Sequence, residues 1–360
     1  LCNQGSASAL SPSWTKVTEN APFAARDSAG ELVYDGKMWI LGGWNSSYAP
    51  SLGDVWNSTD GKNWTCVTPS AAWTHVDLPV TMVFDNKMWL MSGWADGRLP
   101  GAHATSEVWY STNGADWTET TAAAPWTARL GAAGAVYDGK MWIMGGTTAP
   151  VGGGTLLNDV WNSSDGIHWN QVTANAAWSP RSYLQAVTFK NQLWVLGGGN
   201  YRSDYWTSNE VWSSKDGAAW TKVADAPWES RIWFSADVYD GRMWVIGGDG
   251  TTGNGDLLND VWSSADGINW DSMVAGNVWD GRHEQSTYFY NGKLWVIGGS
   301  AVHTGNGVAN DVWSIPISHA PEPNAGVLLG IALLGMSGYL WRKRRAIGRN
   351  KNEEESATNG

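Results

Sequence analysis

Cysteine is nearly absent: Cys2 and Cys66 are the two in 360 residues. Two cannot build a disulfide framework, and no CxxC or Cys/His cluster offers a zinc site. Phenylalanine is scarce at five, and charged residues make up 16 % of the chain, with a net charge of −11. So acidic a chain excludes nucleic acid as a partner, which would need a basic face. His75, His103, His168, His283 and His303 fall at unrelated places without ligand spacing and read as surface residues. The loop from Asp249 to Asp256 has oxygen side chains but no recognised calcium pattern. No pair of carboxylates, and no nucleophile beside a base, can be assigned from sequence, so neither a catalytic residue, a metal nor a cofactor is expected.

What the chain has in quantity is tryptophan, 28 in all. Trp14, Trp64, Trp117, Trp169, Trp220 and Trp270 are spaced by 50, 53, 52, 51 and 50 residues. Two further sets keep step: Trp39, Trp89, Trp142, Trp194, Trp244 and Trp295 before glycine pairs, and Trp56, Trp109, Trp161, Trp212, Trp262 and Trp313. Between them lie short apolar runs joined by Asp-Gly, such as Asp138-Gly139 and Asp165-Gly166. Asp and Gly tolerate the positive φ of tight hairpin turns, so each unit reads as strands and turns, and a period near fifty suits one four-stranded blade. Blades cannot bury their faces alone, so the copies imply one domain, with a core supplied largely by indoles.

An apolar run ending in Gly-Gly, followed by spaced tryptophans, resembles the kelch repeat. The glycine pairs are Gly42-Gly43, Gly145-Gly146, Gly197-Gly198, Gly247-Gly248 and Gly298-Gly299, with Ser92-Gly93 in the second copy. The resemblance covers roughly Trp14 to Ile315 and implies a β-propeller like the central domain of galactose oxidase. Kelch propellers serve as peptide binders, scaffolds and, rarely, parts of enzymes, so the resemblance is weak for function. Cys66 lies beside Trp64 in an outermost strand, far from the axis, and reads as a packed or edge thiol rather than part of a radical copper site. Turns such as Ser264-Ala265-Asp266-Gly267 also look somewhat like the Asp-box of sialidases, but the spacing differs and glutamate is rare.

The two ends of the repeat have complementary defects. Ser13-Trp14-Thr15-Lys16-Val17 is a fourth strand without its first three, and the last copy stops at Ile315 without a fourth. Joining them leaves no exposed edge. The expected fold is all-β: a six-bladed kelch-type β-propeller closed by the N-terminal strand, plus one C-terminal transmembrane helix.

An arginine opens the innermost strand in five copies: Arg26, Arg129, Arg181, Arg231 and Arg282, with Val76 in the second. These entries share a face with the long, variable loops between second and third strands, where binding usually resides. Residues 1–318 hold 17 Lys and Arg against 30 Asp and Glu. A ring of guanidiniums on such a disc would favour an acidic glycan or peptide ligand, and some kelch domains bind acidic peptides near the same mouth. The alternative is structural, each arginine tying blades together through carbonyls or a neighbouring Asp.

After residue 318 the composition changes. Pro321-Glu322-Pro323 precedes an uncharged run from Ala325 to Trp341 and the cluster Arg342-Lys343-Arg344-Arg345. Seventeen apolar residues make a helix of about 25 Å, at the short limit for spanning a bilayer, and the basic stop places the tail inside. This order resembles the PEP-CTERM sorting signal of bacterial exported proteins. The resemblance implies an exosortase-type processing enzyme as partner, cleavage near Pro321-Glu322-Pro323, and association with exopolysaccharide or biofilm material. The propeller would lie outside the cytoplasm, membrane-anchored or released after processing. Ala7-Ser8-Ala9 has the small residues that signal peptidase accepts. The expected organisation is 1–10 as signal-peptide remnant or disordered N-terminus, 11–318 as propeller, 319–324 as linker, 325–341 as transmembrane helix, and 342–360 as basic stop and polar cytoplasmic tail. The function expected is binding or scaffolding; the alternative is a glycan-active enzyme of the sialidase-like or oxidase-like propeller type.

Overall fold

A computed structural model describes residues 13–317, except 46–50, 74–75, 98, 150–153, 202–203, 251–256, 274, 277 and 302–306. The expected linker, transmembrane helix, basic stop and polar tail, and most of the N-terminal segment, lie outside the described residues. Those described are all strand, turn and loop, with no helix among them.

They form six four-stranded antiparallel sheets, one per tryptophan repeat. The third is representative: Ala133–Tyr137, Lys140–Met144, Val160–Ser163 and Asn170–Thr173, in sequence order across the sheet. The other first strands are Gly30–Tyr34, Val80–Phe84, Gln185–Phe189, Ser235–Tyr239 and Ser286–Tyr290. Every turn between first and second strands holds both residues at positive φ, as at Asp138 (49°) and Gly139 (64°), whereas at Asp165-Gly166 only the glycine is there. Second strands are almost wholly buried, while fourth strands such as Asn170–Thr173 are largely exposed. The sixth sheet is completed across the chain ends: Thr15–Thr18 pairs with Val312–Pro316, beside Lys293–Ile297 and Ser286–Tyr290.

Consecutive sheets stack on apolar faces, and the first strand of each touches the first strand of the next, including Gly30–Tyr34 against Ser286–Tyr290. Six separate cores result, one in each junction. The core between the third and fourth sheets gathers Tyr137, Trp142, Met144, Trp178, Leu193, Val195 and Trp220; that between the sixth and first gathers Phe23, Ile40, Trp64, Tyr288 and Trp295. Edge-to-face aromatic pairs recur in all six: Phe23–Trp64, Trp73–Trp117, Trp126–Trp169, Trp178–Trp220, Trp228–Trp270 and Trp279–Trp14, at centroid distances from 4.3 to 6.1 Å. Such geometry sets the positive edge of one ring against the negative face of the other.

Turn glycines pack flat on tryptophans of the preceding sheet. A Cβ on Gly166, whose φ is +76°, would stand 2.2 Å from Cζ3 of Trp89. Glycine is required there twice over, by conformation and by space.

Because Thr15–Thr18 caps the edge of Val312–Pro316 and Trp14 is 2 % exposed against Trp279, the N-terminal segment completes both a sheet and a core. Deleting residues 11–18 removes a buried indole and uncovers a strand edge, so it should cost about 3–5 kcal/mol or more and promote aggregation. Thermal melting with light scattering checks this; an unchanged curve would refute it.

Candidate functional site at the mouth of the central cavity

All six innermost strands border a cavity of about 300 Å³. At one end stand the residues two positions after each arginine or its Val76 counterpart: Ser28, Leu78, Gly131, Tyr183, Trp233 and Glu284. All six have positive φ, between 50° and 57°. For Leu, Tyr and Trp this is a strained backbone, which persists only where the surroundings enforce it. Backbone bonds between sheets enforce it here: Leu78 N–H donates to Ser28 C=O, Tyr183 to Gly131, Glu284 to Trp233, and Ser28 to Glu284. The last of these joins the sixth sheet to the first.

This end carries the variable loops, because the entry to each first strand bridges the start of its own loop, as in Leu130 with Thr147, Ser182 with Gly199 and His283 with Ser300. From the loop of the fourth sheet comes Tyr201, 38 % exposed, whose ring lies 4.4 Å from that of Trp233. Tyr183 meets Trp233 at 4.9 Å and His283 stacks on it at 4.7 Å and 26°. His283, expected at the surface, is therefore half-buried in an aromatic cluster, with Nδ1 2.8 Å from Oε2 of Glu284.

Acidic groups dominate the rest. Glu31, Asp237 and Glu284 line the cavity, while Asp27 and Asp77 lie buried close enough to Glu284 to be repelled by it. Burial first, then repulsion from Glu284, pushes the pKa of Asp77 up to about 8 and that of Asp27 well above the carboxylate range. Burial raises Asp237 to about 6, and burial with repulsion from Asp237 raises Glu31 to about 8 against hydrogen bonds with Ser286 and Thr287. Among the described residues no lysine, arginine or histidine lines the cavity.

The five arginines are placed otherwise than as an open ring. Each is at most 2 % exposed, and its guanidinium is saturated from within. In the third sheet Arg129 Nε donates to Thr127 C=O, Nη1 to Gly145 C=O at 2.9 Å, and Nη1 and Nη2 to the two oxygens of Asp159 at 2.7 and 2.8 Å. Arg26, Arg231 and Arg282 repeat this with Asp54, Asp260 and Asp311, and Arg181 pairs with Glu210. Trp161 Nε1 donates to the same Asp159, as do its counterparts elsewhere. Burial works upward on Glu210, but donors from Arg181, Lys222 and Trp212 bring its pKa down to about 2. An anionic ligand would have to displace a bidentate carboxylate already in place, so the geometry favours the structural alternative for these arginines.

The second sheet departs from the pattern in two linked ways. Val76 replaces the arginine, and Ser92, whose carbonyl occupies the place of the arginine's glycine acceptor, replaces the first glycine. Cys66 sits exposed in the fourth strand of the first sheet. Among the described residues no group of three or more His, Cys, Asp and Glu converges to hold a metal ion.

The raised carboxyls give a pH dependence of stability. Glu31 ionises near 4.5 in the unfolded chain and near 8 in the fold, so the folded state holds a proton that the unfolded state loses as pH rises. The stability this contributes is complete below the lower value and lost on passing the upper one. Glu31 keeps some surface toward the cavity, so solvent screens part of the effect. Glu31→Gln should match the parent near pH 4 and exceed it by roughly 1–3 kcal/mol near pH 9. Melting curves across this range check it; a variant less stable than the parent at the alkaline end would refute it.

No protein-family model matches this chain, and no curated protein matches it either.

Proposed function

We propose that this chain is an exported six-bladed propeller of the kelch type that binds a ligand at its loop-bearing mouth and acts as a binding or scaffold module of the cell envelope or its matrix. One observation carries the ligand site: a cavity bordered by six innermost strands opens between strained, chemically different residues, with an aromatic cluster and carboxylates at the opening. A fixed scaffold presenting a concave site with a few convergent polar groups is the usual form of a ligand pocket. Closure of the six sheets as a propeller is supported by the contact between first and last innermost strands and by the strand shared across the chain ends. The acidic glycan or peptide read from the arginines loses its cationic partner, because those guanidiniums are consumed by carboxylates; the mouth suits neutral or cationic ligands.

The second reading, a glycan-active enzyme, draws on Glu284 beside His283 at the mouth and on the raised carboxyls of Asp27 and Asp77 buried near it. Carboxylates of raised pKa are what acid catalysis at neutral pH requires.

A glycan-array and peptide-library screen of the full chain in detergent should return ligands whose binding is lost in Trp233→Ala. Arg181→Ala with Arg231→Ala should instead lower the melting temperature without selectively removing binding, since Asp260 loses its guanidinium and Glu210 keeps only Lys222 as a charged partner, at a combined cost of about 3–5 kcal/mol. Loss of acidic ligands alone in the arginine variant, with stability intact, would restore the anion-binding reading. Release of free sugar from a bound glycan, abolished in Glu284→Gln, would favour the enzyme.

Export and anchoring rest on the sequence of residues 319–345, with a sorting partner of the exosortase type. Fractionation of bacterial cells producing the full chain should find it in membranes, with the propeller open to external protease. Recovery of the full-length chain from the soluble cytosol would overturn this part of the proposal.

A further inference from the structure

We infer that the central cavity receives a cationic amino sugar, its ammonium group among the cavity carboxylates and its hydroxylated ring at the aromatic mouth. This deepens the reading of the mouth as a ligand site and rests on it.

The first ground is the sign of the lining. Glu31 and Asp237 stand on innermost strands either side of Ser286–Tyr290, Glu284 stands at the opening, and among the described residues no basic side chain lines the cavity to balance them. The nearest recurring cations, the arginines, are each spent on a carboxylate and a glycine carbonyl of their own sheet. A buried carboxylate without a counter-ion is costly, and a ligand that brings the positive charge removes that cost.

The second ground is independent of charge. Gln285 is 2 % exposed, lines the cavity, and donates through Nε2 to Ile246 C=O at 3.0 Å, yet its amide oxygen has no partner. Trp233 also lines the cavity, and its indole N–H is buried without an acceptor. One group lacks a donor and the other lacks an acceptor, and, unlike the packed indoles of Trp73, Trp126, Trp178, Trp228 and Trp279 that also lack acceptors, both belong to residues lining the cavity. A bare amine would supply donors only. An amine that also carries hydroxyls supplies both.

Shape and surroundings narrow the class. Trp233, Tyr183, Tyr201 and His283 form a continuous aromatic cluster at the opening, with the ring of Tyr201 exposed. Such rings cover the apolar C–H faces of a sugar and attract a neighbouring ammonium through their negative faces. A bare metal ion fits poorly, because the described acids do not converge on one point.

Binding should depend on pH in a defined direction. The titratable groups lining the site are Glu31, Asp237, Glu284, Tyr183 and Tyr288, with Asp27 and Asp77 buried near Glu284 and His283 beside it. Burial keeps Asp237 protonated until about 6 and Glu31 until about 8, so an entering ammonium must expel protons. Acidification thus opposes uptake.

The test is calorimetric titration of the full chain in detergent with glucosamine, N-acetylglucosamine and glucuronate. Glucosamine should bind, about tenfold or more tightly than N-acetylglucosamine, and several-fold better near pH 7 than near pH 5, while glucuronate gives no heat. Glu31→Gln combined with Asp237→Asn should weaken glucosamine about tenfold or more while the melting temperature stays level or rises, since the exchange removes buried charge. Equal binding of glucosamine and N-acetylglucosamine, lost in Trp233→Ala, would overturn the inference and leave the ligand site standing. Glucosamine binding unchanged in the double variant would also overturn it. So would failure of glucosamine to bind at all; the ligand-site reading then falls only if the broader screen is empty too.

Discussion

The hydrogen bond from the second glycine of each pair to the next sheet decides how this molecule is put together. Gly93, Gly146, Gly198, Gly248 and Gly299 donate their N–H to the backbone carbonyls of Arg129, Arg181, Arg231, Arg282 and Arg26. Each arginine meanwhile holds its own sheet, its guanidinium gripping the carbonyl of the first glycine and the carboxylate of the third strand. A single residue thus accepts from one sheet through its backbone and clamps another through its side chain. That double use explains why a fully charged group is kept where almost no solvent reaches it, and why the carboxylate partner is also hydrogen-bonded by a tryptophan.

With these joints fixed, the strained residues two places further on are carried to the mouth. Their conformation is dictated by the framework and their side chains are free to differ, which is how a repetitive scaffold produces a non-repetitive opening. Ser, Leu, Gly, Tyr, Trp and Glu occupy equivalent places there. The electrostatics follow the same division. Carboxylates in the sheets are held ionised by arginine, as at Asp260, where guanidinium hydrogen bonds outweigh burial, whereas burial raises Glu31 and Asp77 to about 8 with no arginine to counter it.

Much of this architecture was legible in the sequence. The tryptophan spacing located six sheets, and the complementary ends located the strand shared between them, because both signals repeat or fail to repeat at a fixed period. One regular signal went unread: Trp73, Trp126, Trp178 and Trp279 each follow a closing tryptophan by nine residues and Trp228 by eight, and these supply the edge-to-face partners. The arginines were found, and bonding to carbonyls and an Asp was one of their two readings, but the particular acids could not be named, since Asp54, Asp159, Glu210, Asp260 and Asp311 lie about thirty residues away and only strand pairing brings them together. The mouth was the least legible part. Its marker is the absence of a shared residue at one repeat position, and its acids come from different sheets with no local motif to announce them.

The strand shared between the two ends also sets an order of events. Thr15–Thr18 is made first and cannot be paired until Val312–Pro316 exists, so the earliest strand waits for nearly the latest. Meanwhile Trp14 has no Trp279 to cover it. Local hairpins can form as the chain lengthens, but this contact of extreme sequence separation must come last and carries the largest loop-closure cost. Until then the growing molecule exposes an unpaired edge at one end and an uncovered face at the other. The slow step of its maturation, and the moment at which two copies are most apt to exchange ends, is built into where the repeat was cut.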